Sequence, residues 1–304
     1  METIDYSIII PHKNSSKLLE RLIISCLVVK DYNIQIIVID DHSNSNELEC
    51  LNTLQKKYFF ELYINTGVGA GAARNTGLKH VKGKWTIFAD SDDFFCESLP
   101  NLCSKYINND SDIIYFNVTS LYSDSLERAY RDMHIKNIIN KYIQFKEEGY
   151  LRCCYTAPWG KFINTNYLIK NNFSFEEIIA GNDMMFSVLT GIKANKICCD
   201  NTELYCNTVS AGSITTTLSK DRFNSRFHAT LRVNNILRKE KFHKHQISIL
   251  YFVAKSYQFG FKYFINVISH CIKNRSNPFI GLKKILHYKS VVKDRQNPQY
   301  TQKL

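Results

Sequence analysis

The chain has 304 residues, 44% of them hydrophobic, enough for one large α/β domain with an extension or for two modest domains. Its net charge of +11 is unevenly placed: from Lys220 onward 18 Lys and Arg face three acids (Asp221, Glu240, Asp294), leaving 21 bases and 25 acids in residues 1–219. The ten cysteines show no Cys-x-x-Cys spacing, which excludes a zinc ribbon and, in a chain of this size, a disulfide framework; free thiols are expected.

Tyr6 to Pro11 is a short β-branched run ended by proline, and Leu18 to Val29 carries helical spacing. No basic leader or apolar signal core precedes that first strand, so a cytoplasmic location is expected. Ile34 to Ile39 is a second continuous apolar run, closed by the turn and cap residues Asp40 to Asn44. A helix over Glu47 to Tyr58, a strand over Phe59 to Ile64, and a loop entering a helix over Gly69 to His80 follow. Next comes the run Trp85 to Ala89. Further strands are predicted over residues 111–122 and Lys196 to Tyr205, with a polar helix between Tyr130 and Gly149. Strands buried enough to lose period-two patterning, alternating with helices, predict an α/β fold with a mostly parallel central sheet flanked by helices. Ligands of such sheets sit beyond the carboxyl ends of the strands, where His12, Asp41 and Asp92 fall.

After Lys220 the character changes. Apolar residues from Ile247 to Ile268 fall at helical spacing among polar ones, and a second stretch runs from Phe279 to Tyr288. Lys255 and Lys262 interrupt the first, so no uncharged run approaches the roughly 20 residues that cross a bilayer. Two regions are therefore expected: 1–219, and a basic amphipathic helical C-terminal region over 220–304. The basic excess of the latter implies an anionic partner: a membrane surface, nucleic acid or an acidic protein. Its apolar stripe could equally pack on the preceding domain or on a second copy of the chain.

Chemistry concentrates where Trp85 to Ala89 stops at Asp90-Ser91-Asp92-Asp93. Carboxylates gathered at a strand end repel one another unless a cation lies between them. Hard ions such as Mg2+ or Mn2+ take oxygen ligands, often one or two carboxylates with substrate phosphates completing the shell. Taken alone, the triplet is also compatible with a polar loop.

It is not alone. The segments SIIIPHKN at 7–14, IIVIDDHS at 36–43, GAGAARNTGL at 69–78, FADSDDFF at 88–95 and AGNDMMF at 180–186 follow one another in an order and spacing that resembles the family 2 glycosyltransferases. That family is inverting, has the GT-A fold and uses nucleotide-sugar donors, and the resemblance covers about residues 6 to 215. It implies that Asp41 accepts a hydrogen bond from a uracil ring N–H and that Pro11 and Asn14 shape the donor pocket. Lys13 departs from the aromatic residue many members carry there. Arg74 is implied to lie at the nucleotide; its alternative is a surface arginine at a helix start. Asp90, Ser91 and Asp92 match the family's Asp-x-Asp element, with Asp92 as the direct metal ligand, Asp90 nearer the ribose or sugar, and Asp93 in support. Asp183 is implied to be the general base that deprotonates the acceptor hydroxyl. Asn182 replaces a usual glutamate beside it, and Trp159 aligns with a tryptophan that packs on sugar or in the core.

Each role has a bland competitor. Asp40 or Asp41 with Ser43 is suited to cap the helix around Glu47, and Asn182 or Asp183 to cap the helix from Met184 to Leu189. Gly69-Ala70-Gly71 fails as a dinucleotide fingerprint, because it does not follow the first strand, nor is it followed about 20 positions on by an acid at the end of a second strand. His42, His80 and the later histidines lack ligand spacing and read as ordinary polar positions. The expected activity is thus transfer of a sugar, from a UDP-hexose or UDP-N-acetylhexosamine, to a glycan acceptor of a bacterial surface polysaccharide, with Mn2+ or Mg2+. The acceptor would be lipid-linked if the tail docks on the inner membrane face. The alternative is a non-catalytic nucleotide-binding or nucleic-acid-binding module with a basic tail.

Overall fold

The computed structural model describes residues 3–210, 219–277 and 280. The first half alternates as the apolar runs require: β1 (Tyr6–His12), α1 (Ser16–Cys26), β2 (Ile34–Asp40), α2 (Ser45–Lys57), β3 (Glu61–Ile64), α3 (Gly69–Leu78) and β4 (Trp85–Phe88). All seven residues of β1 are buried. Continuous Ile and Val suit a strand covered by helices on both faces. These four strands form a parallel block in the order β3-β2-β1-β4.

The second half departs from a simple parallel continuation. It comprises β5 (Phe94–Phe95), α4 (Leu99–Tyr106), β6 (Ile113–Tyr122), α5 (Met133–Phe145), α6 (Glu148–Cys154), β7 (Lys161–Asn164), α7 (Thr165–Lys170), α8 (Asn182–Lys193) and β8 (Ile197–Val209). The full eight-stranded order is β3-β2-β1-β4-β7-β6-β8-β5. Here β7 inserts antiparallel between β4 and β6, β8 runs parallel to β6, and β5 closes the edge antiparallel to β8. The sheet is therefore mixed, with helices on its faces. One large apolar cluster joins Tyr6, Ile8 and Leu22 to Phe88, Phe116, Phe162 and Tyr205 across this sheet. All ten cysteines are free thiols.

The C-terminal region is helical: α9 (Lys220–Lys239), α10 (Leu250–Ser256) and α11 (Phe261–Lys273). The stripe from Ile247 to Ile268 is not one helix. A short 3-10 turn over Tyr257–Phe259 and Gly260 at φ 100° break it, a backbone conformation that only glycine adopts without strain. Val233 and Leu237 of α9 pack on Cys153 of α6 and Val188 of α8. Arg232 pairs with Glu176 at 2.6 Å, and the hydroxyl of Ser225 donates to the carbonyl of Ala180 at 2.9 Å. Thus α9 is fastened to the segment that leads into α8. The stretch Phe279 to Tyr288 lies outside the described residues, Ile280 excepted. Among the described residues no helix is long and apolar enough to cross a membrane.

Candidate active site

At the carboxyl ends of β1 and β2, side chains tie the two following loops together. The backbone N–H of Ser15 donates to His12 Nε2 at 3.2 Å, which leaves the proton on Nδ1 to bond Asp40 Oδ1 at 3.2 Å. Burial pushes the His12 pKa down, so the ring is a neutral structural link. Asn14 donates its N–H to Ser43 Oγ and accepts the N–H of Asn44, both at 2.9 Å. The helix cap expected from Asp40 or Asp41 is instead Asn44, whose side chain accepts the N–H of Glu47; Asp40 is occupied with His12 and the Ser43 N–H. Pro11 is buried in β1 beyond the last pairing with β4, Ile9↔Phe88, so it forgoes no ladder bond on that side.

Asp41 is buried at the end of β2. Its Oδ1 accepts from Asn65 Nδ2 at 2.6 Å and from the N–H of Gly69, first residue of α3, at 2.8 Å. Its Oδ2 faces the exposed ammonium of Lys13 at 3.5 Å. The departure at Lys13 thus puts a cation, not a ring, beside this carboxylate.

The acidic loop after β4 is held from beneath. Asp93 is fully buried: Oδ2 accepts from the Tyr205 hydroxyl at 2.9 Å and Asn207 Nδ2 at 3.1 Å, and Oδ1 accepts the Thr208 N–H at 2.6 Å. The same Tyr205 hydroxyl accepts the N–H of Asp90 at 2.8 Å. Trp159 stacks on the Tyr205 ring at 5.2 Å between centroids, so it supports the loop through that tyrosine. Ser91 Oγ lies 2.9 Å from Ser15 Oγ, joining this loop to the one after β1. Arg21 Nη2 donates to the carbonyl of Asp92 at 2.6 Å. Burial, with the charge of Asp90 adding to it, raises the Asp92 pKa; burial with Asp92 and Asp90 raises that of Asp93 well above the usual carboxylate range.

Arg74 connects this loop to α8. Its buried guanidinium donates to Asp90 Oδ1 at 2.5 Å and to Asn182 Oδ1 at 3.0 Å, and lies 5.3 Å from the centroid of the Phe175 ring. It is therefore not a surface arginine. The approach of α3 to this segment requires Gly71, since a Cβ there would lie 2.3 Å from the carbonyl oxygen of Glu176. Gly181 caps α8, so Asn182 and Asp183 both stand in its first turn rather than before it. Asp183 keeps part of its surface free, yet protein surrounds its carboxyl closely enough for lost hydration to raise its pKa, an effect Arg74 opposes. Beneath lies Lys161, fully buried, whose ammonium donates to the Tyr155 carbonyl at 2.8 Å and stands 4.6 Å from the Tyr155 ring centroid. Burial lowers its pKa to about 7, and the nearby Asp183 works against that fall.

Among the described residues no group of three or more His, Cys, Asp or Glu side chains could hold a metal. Both oxygens of Asp93 are engaged, by three donors in all, and one oxygen of Asp90 is taken by Arg74. Asp92 and the second oxygen of Asp90 remain, two hard ligands that fit an ion whose shell a diphosphate and water would complete. Sequence reasoning missed Arg21, Lys161 and Tyr205, and gave α9 only as part of a helical region over 220–304. The aromatic-rich stretch before β7 was a signal for the Trp159–Tyr205 stack, whereas the lysine gave none.

The family model described as Glycosyl transferase family 2 matches residues 7–162. The poly(ribitol-phosphate) β-N-acetylglucosaminyltransferase TarP of Staphylococcus aureus strain N315 is 41% identical over 116 residues, 36% of this chain and 35% of that protein. The chain thus spans about a third of the length of this relative. The crystal structure of S. aureus TarS 1–349 in complex with UDP-GlcNAc superposes with a TM-score of 0.60 at 18% identity, covering 91% of this chain and 75% of that one. The mannosyltransferase PcManGT of Pyrobaculum calidifontis, in complex with GDP-Man and Mn2+, gives 0.53 at 10% identity, covering 99% and 83%. With an acidic loop at the end of a parallel block, a mixed sheet of the GT-A type and more than half of its length matched by one family model, this chain belongs to glycosyl transferase family 2.

Proposed function

We propose that the protein is an inverting transferase that moves a hexose or N-acetylhexosamine from a UDP-sugar to a glycan acceptor of a bacterial surface polysaccharide, with residues 1–219 as the catalytic unit. The observation that carries this reading is Arg74, which bonds Asp90 of the acidic loop and Asn182 beside Asp183, so that both sequence motifs serve one site. Asp41 reads a uracil N–H through the oxygen that faces Lys13, since an ionised carboxylate only accepts. Pro11 and Asn14 shape the walls of the base pocket, Asp90 and Ser91 meet the ribose and sugar, and Trp159 and Asn182 border the sugar and acceptor. Asp92 holds the divalent ion, Mn2+ or Mg2+. That ion, when bound, neutralises charge building on the departing diphosphate.

Asp183 takes the proton of the attacking hydroxyl. Its raised pKa brings it nearer to neutrality, which strengthens it as a base while leaving it ionised above that pKa. Attack on the face opposite the diphosphate inverts the anomeric centre. Membership of a transferase family weighs against the non-catalytic nucleotide- or nucleic-acid-binding alternative. The proposed setting is the cytoplasm, with the acceptor presented at the inner membrane face.

The test is thermal denaturation with UDP, UDP-N-acetylglucosamine and GDP, each with and without Mn2+. At a hundred times its dissociation constant a ligand adds about 2.7 kcal/mol of stability. Metal-dependent stabilisation by the uridine compounds alone is expected. Stabilisation by GDP alone would overturn the base assignment, and none by any nucleotide would overturn the donor reading.

A further inference from the structure

α11 carries a wider apolar face than its packing on α9 and α10 covers. Val267 and Cys271 are buried against Phe223, Phe227 and Leu231 of α9 and Phe252 of α10. At about 100° per residue, Phe261, Phe264, Ile265, Ile268 and Ile272 gather on an arc of roughly 100° that adjoins the side holding Val267 and Cys271. That arc meets solvent: Phe261 is 66% exposed, Ile265 48% and Ile272 72%. Exposed Tyr257, from the turn before α11, joins it, its ring 6.3 Å from Phe264, which in turn lies 6.2 Å from Phe261.

The charge around this arc has one sign. Lys262 and Lys273, both exposed, border it, and Lys255 and Arg275 flank the helix. Between Lys241 and Ile280 there is no aspartate or glutamate. A second copy of the chain seated symmetrically here would set these bases against themselves. Nucleic acid would find phosphate partners but nothing polar to read it along a stripe of isoleucines. An anionic phospholipid surface satisfies both halves: acyl chains take the isoleucines and phenylalanines, the headgroup layer takes the tyrosine, and the lysines snorkel to phosphate. The 13 residues of α11 span about 20 Å, too short to cross a bilayer and suited to lie in its plane.

We infer that the face formed by Tyr257, Phe261, Phe264, Ile265, Ile268 and Ile272, edged by Lys262 and Lys273, is a docking surface for anionic phospholipid membranes. It deepens the setting proposed above but involves no group of the transfer site, so vesicle binding and sugar transfer can fail separately. Since α9 packs on α8, docking of α11 also fixes how the site is held over the membrane.

The experiment is sedimentation of the full chain with phosphatidylcholine vesicles, alone or mixed with phosphatidylglycerol, at low and high salt. Binding to the mixed vesicles at low salt is expected, falling at high salt and on pure phosphatidylcholine. Ile265→Ser with Ile272→Ser should weaken it at least tenfold, and Lys262→Glu with Lys273→Glu should do the same and remove its salt dependence. All four positions are exposed, so the variants should melt with the parent. No binding to anionic vesicles at low salt overturns the inference, as does binding that both double variants leave unchanged. A dimer seen by ultracentrifugation without vesicles and abolished by the isoleucine variant would assign the face to a second copy instead.

Discussion

Replacing Arg74 with methionine should loosen the whole site. Methionine keeps most of the apolar volume while removing the guanidinium that joins Asp90 and Asn182. A bond to a charged group contributes about 1.5–3 kcal/mol when buried. The Asp90 side chain, however, is 32% exposed and regains water, so about 1 kcal/mol is a fair share for that pair. The bond to Asn182 adds about 1 kcal/mol, and the cation over Phe175 about 0.5–1. The expected loss is about 2–3 kcal/mol, or roughly 3–5 °C in Tm for a chain of this size. Arg74→Lys should recover less than half, because an ammonium cannot fork to both partners. Calorimetry of Arg74→Met, Asn182→Ala and the double variant measures the link directly: the two single losses should overlap by about 1 kcal/mol. A Tm within 1 °C of the parent for Arg74→Met, or strictly additive losses in the double variant, would refute the bridge.

Other consequences follow from buried groups. Asp93→Ala strands the Tyr205 hydroxyl, the Asn207 amide and the Thr208 N–H; relief of a buried acid offsets part of this, leaving about 2–4 kcal/mol lost in urea titration. A change below 0.5 kcal/mol would contradict the anchoring role of this carboxyl. Lys161 gives a pH signature. Its folded pKa, lowered to about 7, lies below the unfolded value of about 10.4, so its contribution is fully present above the latter and is lost as pH falls through the former. Parent stability relative to Lys161→Met should therefore drop by about 1.4 kcal/mol per unit as pH falls between about 10 and 7, and then level off. A difference that stays flat with pH would show that this amine is not buried.

Much of the fold is readable in advance because β1, β2 and β4 are covered on both faces and so appear as unbroken apolar runs, each ended by polar loop residues. The loops that carry Asn14, Asp41, Asp90 and Asp92 come with those strand ends. β7 is harder to see: four residues beginning with a lysine show neither alternation nor a bounded apolar run. α9 falls within the helical region expected over 220–304, but its docking on α6 and α8 is not legible there. Its buried side includes Thr230 and Asn234, and Asn234 is buried because its amide bonds both the N–H and the carbonyl of Ile247. These two polar residues interrupt the apolar stripe of Phe223, Phe227, Leu231 and Leu237. The pairing of Arg74 with two motifs far apart in the chain, and the burial of Lys161 under Asp183, arise only from tertiary packing.

In the proposed reaction Asp92 grips the donor's metal-diphosphate while Asp183 takes a proton. The most direct measurement pairs equilibrium binding of UDP, with Mn2+ present, with release of UDP from UDP-N-acetylglucosamine or whichever donor the thermal screen selects, for Asp183→Asn and Asp92→Asn. Asp183→Asn should bind UDP as the parent does and turn over about 100- to 10,000-fold more slowly; Asp92→Asn should lose both metal-dependent binding and turnover. Full turnover by either variant would contradict the account.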